Sequence, residues 1–339
     1  MSRHWLDQRE RGSVFGIRLI VGLSFFLGRR FARLLLYPTC LYFLMFSVAS
    51  RRASRKYLAR ALGRPPRFAD LFRHYFAFAT VALDRFFLLK DRYALFQIQI
   101  HGEEILQQLL DRGQGCLLLG AHLGSFEVLR AAGSAHRLEV SMIMYEDNAK
   151  MVNAVVKAVN PQAPARIIAL GRLDSMFQVH ERLQRNAWVG ILGDRVLPGG
   201  EQQQATFLGE PAWFPTSPYR ISLMLRRPIV FMTGLYRGGN RYELHFEKLF
   251  DPEGVSRTQR AAAIEQALGD YVQRLEYYCR QAPYNWFNFY DFWAKGPDPA
   301  VAPEQAAAPG EATAEGSSAD SIERRHFERP LSDEPLSDR

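Results

Sequence analysis

Apolar and polar positions along the chain fall into three regimes. Near the N-terminus two long apolar runs, Val14 to Leu27 and Leu34 to Ala49, are separated by Arg29, Arg30 and Arg33 and followed by Arg51, Arg52, Arg55 and Lys56. From about Arg67 the pattern becomes that of a folded domain. Phe68 to Leu89 repeats Phe and Leu at helical spacing, and short apolar segments then alternate with amphipathic ones. Strands are predicted at Phe96–Ile100, Gly115–Gly120, Glu139–Tyr145, Ala165–Leu170 and Ala187–Leu192. Helices are predicted at Glu103–Arg112, from Ser125 to Ala132, at Ala149–Val159 and at Leu173–Arg185. This alternation implies a largely parallel sheet covered by helices on both faces. Pro228–Tyr236 and Arg241–Glu247 flank Arg237-Gly238-Gly239-Asn240, a hairpin signal, so the sheet is expected to be mixed. Ser256 to Arg280 reads as a long helix with Ser256 as its N-cap. After Gly296 the composition shifts to Ala, Pro, Glu, Ser and Gly, too polar to offset its ordering entropy, and the segment is expected to be disordered.

The expected fold class is therefore α/β: a mixed, mostly parallel sheet flanked by helices, with membrane-associated helices at the N-terminus. Three regions follow: a basic and apolar anchoring segment over 1–66, a catalytic domain over 67–295 and a tail over 296–339. Each N-terminal run is shorter than the roughly 20 apolar residues of a spanning helix, and Pro38 interrupts the second. Two arrangements remain open: a tilted span completed by snorkelling arginines, or short helices lying in the membrane interface. No cleavage site for a signal peptide is evident.

Charge sharpens the membrane reading. The net charge of the 339 residues is +8, yet residues 1–100 alone hold 18 bases and 5 acids. Such asymmetry points to a polyanionic partner. The bases are interleaved with Leu and Phe runs rather than polar residues, which favours a lipid surface over nucleic acid. Cys40, Cys116 and Cys279 are far apart and form no C-x-x-C pair, which argues against a zinc site or a disulfide framework.

The candidate chemistry lies in Gly120-Ala121-His122-Leu123-Gly124-Ser125-Phe126-Glu127. On one continuous helix His122 and Glu127 would sit about 140° apart. They can meet if His122 ends the strand and Glu127 lies in the first helical turns. Glu127 is then expected to accept from one ring nitrogen, leaving the other as a base with an unperturbed pKa of about 6.5. Ser125 lacks a G-x-S-x-G elbow, so no protein nucleophile is required; a substrate hydroxyl deprotonated by His122 would attack an activated acyl group directly. No H-E-x-x-H is present, and no metal or other cofactor is expected. Asp194 and Arg195 end the Ala187–Leu192 strand at the same sheet edge, where ligands of open α/β sheets collect. Arg195 could clamp a phosphate or steady an oxyanion, with Asp194 orienting it. Arg172 is a lesser candidate at that edge.

These residues resemble a known family. His122-x4-Glu127 after GCLLLGAH is similar to the H-x4-D/E signature of the lysophospholipid acyltransferase superfamily. GILGDRV and TFLGEPAWFPTSPYRISLMLRRPIVF resemble the downstream region of its bacterial lipid A biosynthesis acyltransferase branch, and the basic-apolar N-terminus resembles that branch's membrane anchor. The resemblance covers roughly residues 15–295. It implies an enzyme on the cytoplasmic face of the inner membrane. That enzyme would move a fatty acyl group from acyl carrier protein or CoA to a hydroxyl of a glycolipid such as a lipid A precursor. His122 would be the base and Glu127 its partner, with no metal. An acidic carrier protein would suit the basic half of the chain. Many members close the domain with a Trp followed by a basic run. Here Pro283–Gly296 reads PYNWFNFYDFWAKG, mainly aromatic, so an aminolipid or a lysophospholipid stays open as acceptor. The rival reading is a lipid esterase or thioesterase with water as acceptor.

Overall fold

A computed structural model describes residues 14–129, 140–145, 167–170, 174–196 and 199–293. The helix expected over Ala149–Val159 and the tail expected over 296–339 lie outside the described residues.

Three helices open the fold: α1 (Val14–Phe46), α2 (Val48–Leu62) and α3 (Phe68–Leu89). The two apolar runs join into α1, broken only at Gly28, where φ of 80° departs from helical geometry. Pro38 sits within α1, and the turn to α2 comes at Ser47 rather than after Ala49. Ala32, Leu36, Cys40 and Leu44 recur every fourth residue and form the inward stripe of α1, which packs on α3. A buried bidentate ion pair fastens this contact. Arg29 donates to both oxygens of Asp84 at 2.6 and 2.7 Å, and the Tyr242 hydroxyl donates to the same carboxylate at 2.7 Å.

The rest runs β1 (Gln97–His101), α4 (Glu103–Asp111), β2 (Leu117–Gly120), β3 (Val140–Tyr145), β4 (Ile167–Leu170), α5 (Ser175–Gln184), β5 (Trp188–Leu192), β6 (Gln202–Phe207), β7 (Glu210–Pro215), α6 (Ser217–Leu225), β8 (Ile229–Tyr236), β9 (Arg241–Phe250) and α7 (Arg260–Gln281). Seven strands form one sheet in the order β1-β9-β8-β2-β5-β3-β4; β6 and β7 pair separately. Every neighbouring pair in the large sheet is parallel except β8 with β9, the expected hairpin. The sheet is thus mixed, mostly parallel and flanked by helices, as the alternation of segments predicts.

Burial follows position in the sheet. The central β2 and β8 are buried at every residue, whereas β9 alternates for most of its length and β1 is an exposed edge. The period of two splits β2 between two cores. Leu117 and Leu119 join Phe231, Tyr271 and Leu275 on one face; Leu118 joins Leu106, Leu109 and Trp188 on the other. Ser256, expected to cap the long helix, instead caps the 3-10 turn Arg257–Gln259 through a capping box with Gln259, and α7 follows with Gln259 as its own N-cap. A second helix start also differs. Phe126 to Val128 form a bend and turn, so helix begins at Leu129 rather than at Ser125, and residues 130–132 lie outside the described residues.

Among the described residues no single helix is long and apolar enough to cross a membrane. One pair, Gly28–Phe46 with Val48–Leu62, reaches that length and composition only when its arms are added, and the arms are bent by 96°.

Candidate active site

The site is built where two parallel strands end. β2 and β5 pair in register with Gly120 opposite Leu192, and the Gly193 amide donates to the Gly120 carbonyl at 2.9 Å. His122 and Asp194 each lie two residues beyond that last pair, so the register itself brings them together. The His122 Nδ1 is 2.8 Å from Asp194 Oδ1, and the His122 amide donates to Oδ2 at 3.0 Å. The same Oδ2 accepts from Trp286 Nε1 and from Asn288 Nδ2, both at 2.9 Å. Asp194 is fully buried, while the His122 side chain keeps 28% of its surface exposed. An ionised Asp194 can only accept, so Nδ1 carries the proton and Nε2 presents a lone pair.

The loop that carries His122 is clasped on both sides. Its carbonyl accepts from the Phe287 amide at 2.7 Å, the Gly124 amide donates to the Asn285 carbonyl at 2.8 Å, and the Ser125 amide donates to the Gly234 carbonyl at 2.7 Å. Gly124 has φ of +72°, and a Cβ there would lie 2.0 Å from the Gly234 oxygen. A side chain at this position would meet both strain and collision. Asn285 completes the clasp: its amide accepts from the Tyr236 backbone N–H at 2.7 Å and donates to the Tyr236 carbonyl at 3.1 Å.

The structure corrects the expected pairing of His122 with Glu127. The acceptor at Nδ1 is Asp194. After His122 the chain makes isolated bridges, Leu123 with Trp286 and Gly124 with Gly234, and helix begins only at Leu129, past Glu127. That path delivers Glu127 to α3, where its carboxylate pairs with Arg85 Nε at 2.5 Å and receives the buried Ser125 hydroxyl at 3.4 Å. Arg195 stands beside the pair. Its Nε donates to Asn288 Oδ1 at 2.9 Å, and its guanidinium lies 5.5 Å from the centre of the Tyr290 ring. Arg172 lies outside the described residues. Trp286 and Asn288, which the residue pattern did not single out, come from the aromatic segment before Gly296. The signal that could have found them is a pair of asparagines, Asn285 and Asn288, spaced within an otherwise aromatic run.

The electrostatics suit a neutral base beside a fixed anion. Burial pushes the His122 imidazole below its ordinary pKa of 6.5, and the nearby charges of Arg195 and Arg85 push the same way against the attraction of Asp194. For Asp194 burial acts upward. The His122 ring, its hydrogen bonds and the Arg195 charge outweigh it and hold the carboxyl well below the ordinary carboxylate range.

Among the described residues one other cluster has metal-ligating side chains. His101, Glu243 and His245 bring their ligand atoms within 4.8 Å of one another on the β1–β9 edge. The two rings stack at 4.5 Å and 12°, so their lone pairs run side by side instead of converging. Arg237 Nε already donates to Glu243 Oε2 at 2.7 Å. That arrangement does not fit a chelated ion. A surface cavity of about 460 Å³ between β6 and α7 includes neither His122 nor Asp194.

Compared with known families, residues 6–295 match the profile of the bacterial lipid A biosynthesis acyltransferases. A comparison with curated proteins gave no match.

Proposed function

The chain belongs to the bacterial lipid A biosynthesis acyltransferase family and is an acyltransferase; from that membership we propose that His122 deprotonates a glycolipid hydroxyl, such as that of a lipid A precursor, which then attacks a thioester carried by acyl carrier protein or CoA. The observation that carries this reading is the 2.8 Å contact between His122 Nδ1 and the buried Asp194 at the ends of two adjacent parallel strands. Asp194 holds the tautomer in which Nε2 is the base, and it stabilises the imidazolium that forms. The hydroxyl oxygen forms the new ester bond and the carbon–sulfur bond breaks. The proton taken by Nε2 passes to the leaving thiolate. No covalent enzyme intermediate is needed, and no step requires a metal or other cofactor. Arg195, placed between Asn288 and Tyr290, supplies positive charge for the developing oxyanion or for a phosphate of the acceptor. Glu127 acts one step away: by pairing with Arg85 it tempers a charge that would otherwise depress His122 further.

We propose attachment to the cytoplasmic face of the inner membrane; the exposed apolar face of α1 supports contact with a membrane. Opposite its packed stripe, α1 exposes Leu34, Leu35, Leu41, Tyr42, Met45 and Phe46. The second arm of the bent pair, α2, buries Ala53, Tyr57, Leu58 and Ala61 within the protein, which supports helices lying in the interface over a span. Arg51 donates to the carbonyls of Leu44 and Met45 at 2.7 and 2.9 Å, satisfying backbone oxygens freed where the helix breaks inside the apolar tip.

The test is acyl transfer by the purified chain, with labelled acyl carrier protein and CoA thioesters offered in parallel and lipid acceptors varied. Wild type should place the label in a new lipid ester, and His122→Ala should abolish it. Release of label as free fatty acid alone would establish the esterase reading instead. Wild-type turnover by His122→Ala would remove the histidine from the mechanism.

A further inference from the structure

We propose that Asn288 is a positioning residue that fixes the orientation of Asp194, and through it His122, by reading the orientation of Arg195. The kinetic consequence rests on the acyl-transfer reading, whereas the geometry stands alone. Asn288 is fully buried, and both ends of its amide are engaged: Oδ1 accepts from Arg195 Nε at 2.9 Å and Nδ2 donates to Asp194 Oδ2 at 2.9 Å. An arginine nitrogen can only donate, so it selects the amide oxygen and thereby turns the amide nitrogen toward Asp194. The reversed amide would set a donor against a donor at one end and an acceptor against an anion at the other. The side chain therefore has one state, and that state delivers a hydrogen bond to the oxygen that also accepts from the His122 amide and Trp286.

Removing that bond frees Asp194 to tilt about its other contacts, and the Nδ1 bond at Oδ1 tilts with it. Misplacing a base by even about 1 Å can cost on the order of 100-fold in rate. Asn288 touches neither the imidazole nor, in this scheme, the reacting atoms. Its effect on turnover must then pass through the two groups it bonds, Asp194 and Arg195; only the part carried by Asp194 disappears when that carboxylate is removed, which also sets it apart from a residue that merely helps the domain fold.

A double-mutant cycle separates the two. Asn288→Leu, close in volume and unable to hydrogen-bond, should lower kcat about 10–100-fold with donor KM nearly unchanged. In an Asp194→Ala background the same change should cost less than about threefold. Asn288→Ala serves as the second variant should Asn288→Leu not fold. Independently of turnover, NMR of the histidine-labelled full chain in detergent micelles should show a downfield Nδ1–H resonance that is absent from His122→Ala. That resonance should move upfield or exchange faster in the folded Asn288 variant. A cost as large in the Asp194→Ala background as in wild type, or an unmoved Nδ1–H signal, overturns the proposal. If wild type makes no lipid ester, the acyl-transfer reading falls while the NMR arm still decides whether Asn288 positions the pair.

Discussion

Replacing Asp194 by asparagine changes one atom and should nearly abolish turnover. The carboxylate receives four N–H groups: one at Oδ1, from His122 Nδ1, and three at Oδ2, from the His122 amide, Trp286 and Asn288. An amide has only one accepting end. Oriented to serve the three donors at Oδ2, it must point its NH2 group at His122 Nδ1. The imidazole then answers by moving its proton to Nε2, where it can no longer act as a base. Keeping the working tautomer would require turning NH2 toward three donors, each unmet bond costing about 1–3 kcal/mol. The wrong tautomer therefore wins by several kcal/mol. At 1.36 kcal/mol per tenfold, a penalty of about 3–5 kcal/mol corresponds to a loss of roughly 10²–10⁴ in kcat. The measurement is single-turnover acyl transfer by Asp194→Asn, with thermal unfolding as a control and histidine NMR to read the tautomer. A folded variant that kept kcat within about threefold of wild type would refute the assignment of Asp194 as the residue that holds the base.

Four further outcomes are expected. Because burial and nearby arginines lower the His122 pKa, the acid limb of kcat/KM should fall below 6.5; a limb at or above 6.5 would contradict this. Glu127→Gln exposes His122 to an uncompensated Arg85, so that limb should move to still lower pH with a smaller loss of rate than His122→Ala, and an upward shift would refute the role given to Glu127. His74 is fully buried between Ser54 and the Trp286 carbonyl, and burial pushes its pKa down to about 4. The unfolded chain binds the proton near 6.5, so stability is intact above that pH and declines as pH falls toward 4. The loss by pH 5 is about 2 kcal/mol, and chemical denaturation of His74→Gln at pH 7.5 and 5 should show this pH dependence reduced by that amount. Tyr42 and Phe46 are 57% and 64% exposed on the outer face of α1, and replacing both by Asp should weaken vesicle co-sedimentation without changing unfolding temperature; unchanged binding would place the membrane contact elsewhere.

Much of this architecture could be read from the residues, and the exceptions have identifiable causes. Strands whose apolar runs end at glycines or turns, such as Gly115–Gly120 and Ala187–Leu192, appear within two residues of their predicted bounds. The β6–β7 ribbon was not predicted. Its first strand is polar, and its turn places Leu208 at φ of 52°, a conformation that leucine rarely signals. In the site, His122 and Asp194 were legible because parallel strands align their ends. The assignment of Glu127 as partner to the imidazole failed because a local sequence gap says nothing about bridges to residues more than 100 positions away. Trp286 and Asn288 were hidden for the same reason: hydrogen bonds across 92 and 94 residues leave no periodicity behind.

The aromatic strip that supplies Trp286 and Asn288 is the last stretch of chain to be made in this fold. Up to the end of α7, a nascent polypeptide holds both members of the His122–Asp194 pair yet leaves a buried anion short of two of its donors. Full competence for the proposed chemistry is thus expected only once this strip is in place, and a molecule clipped between α7 and Trp286 is expected to lose most of its turnover. Turnover in a preparation would then double as a count of fully assembled molecules.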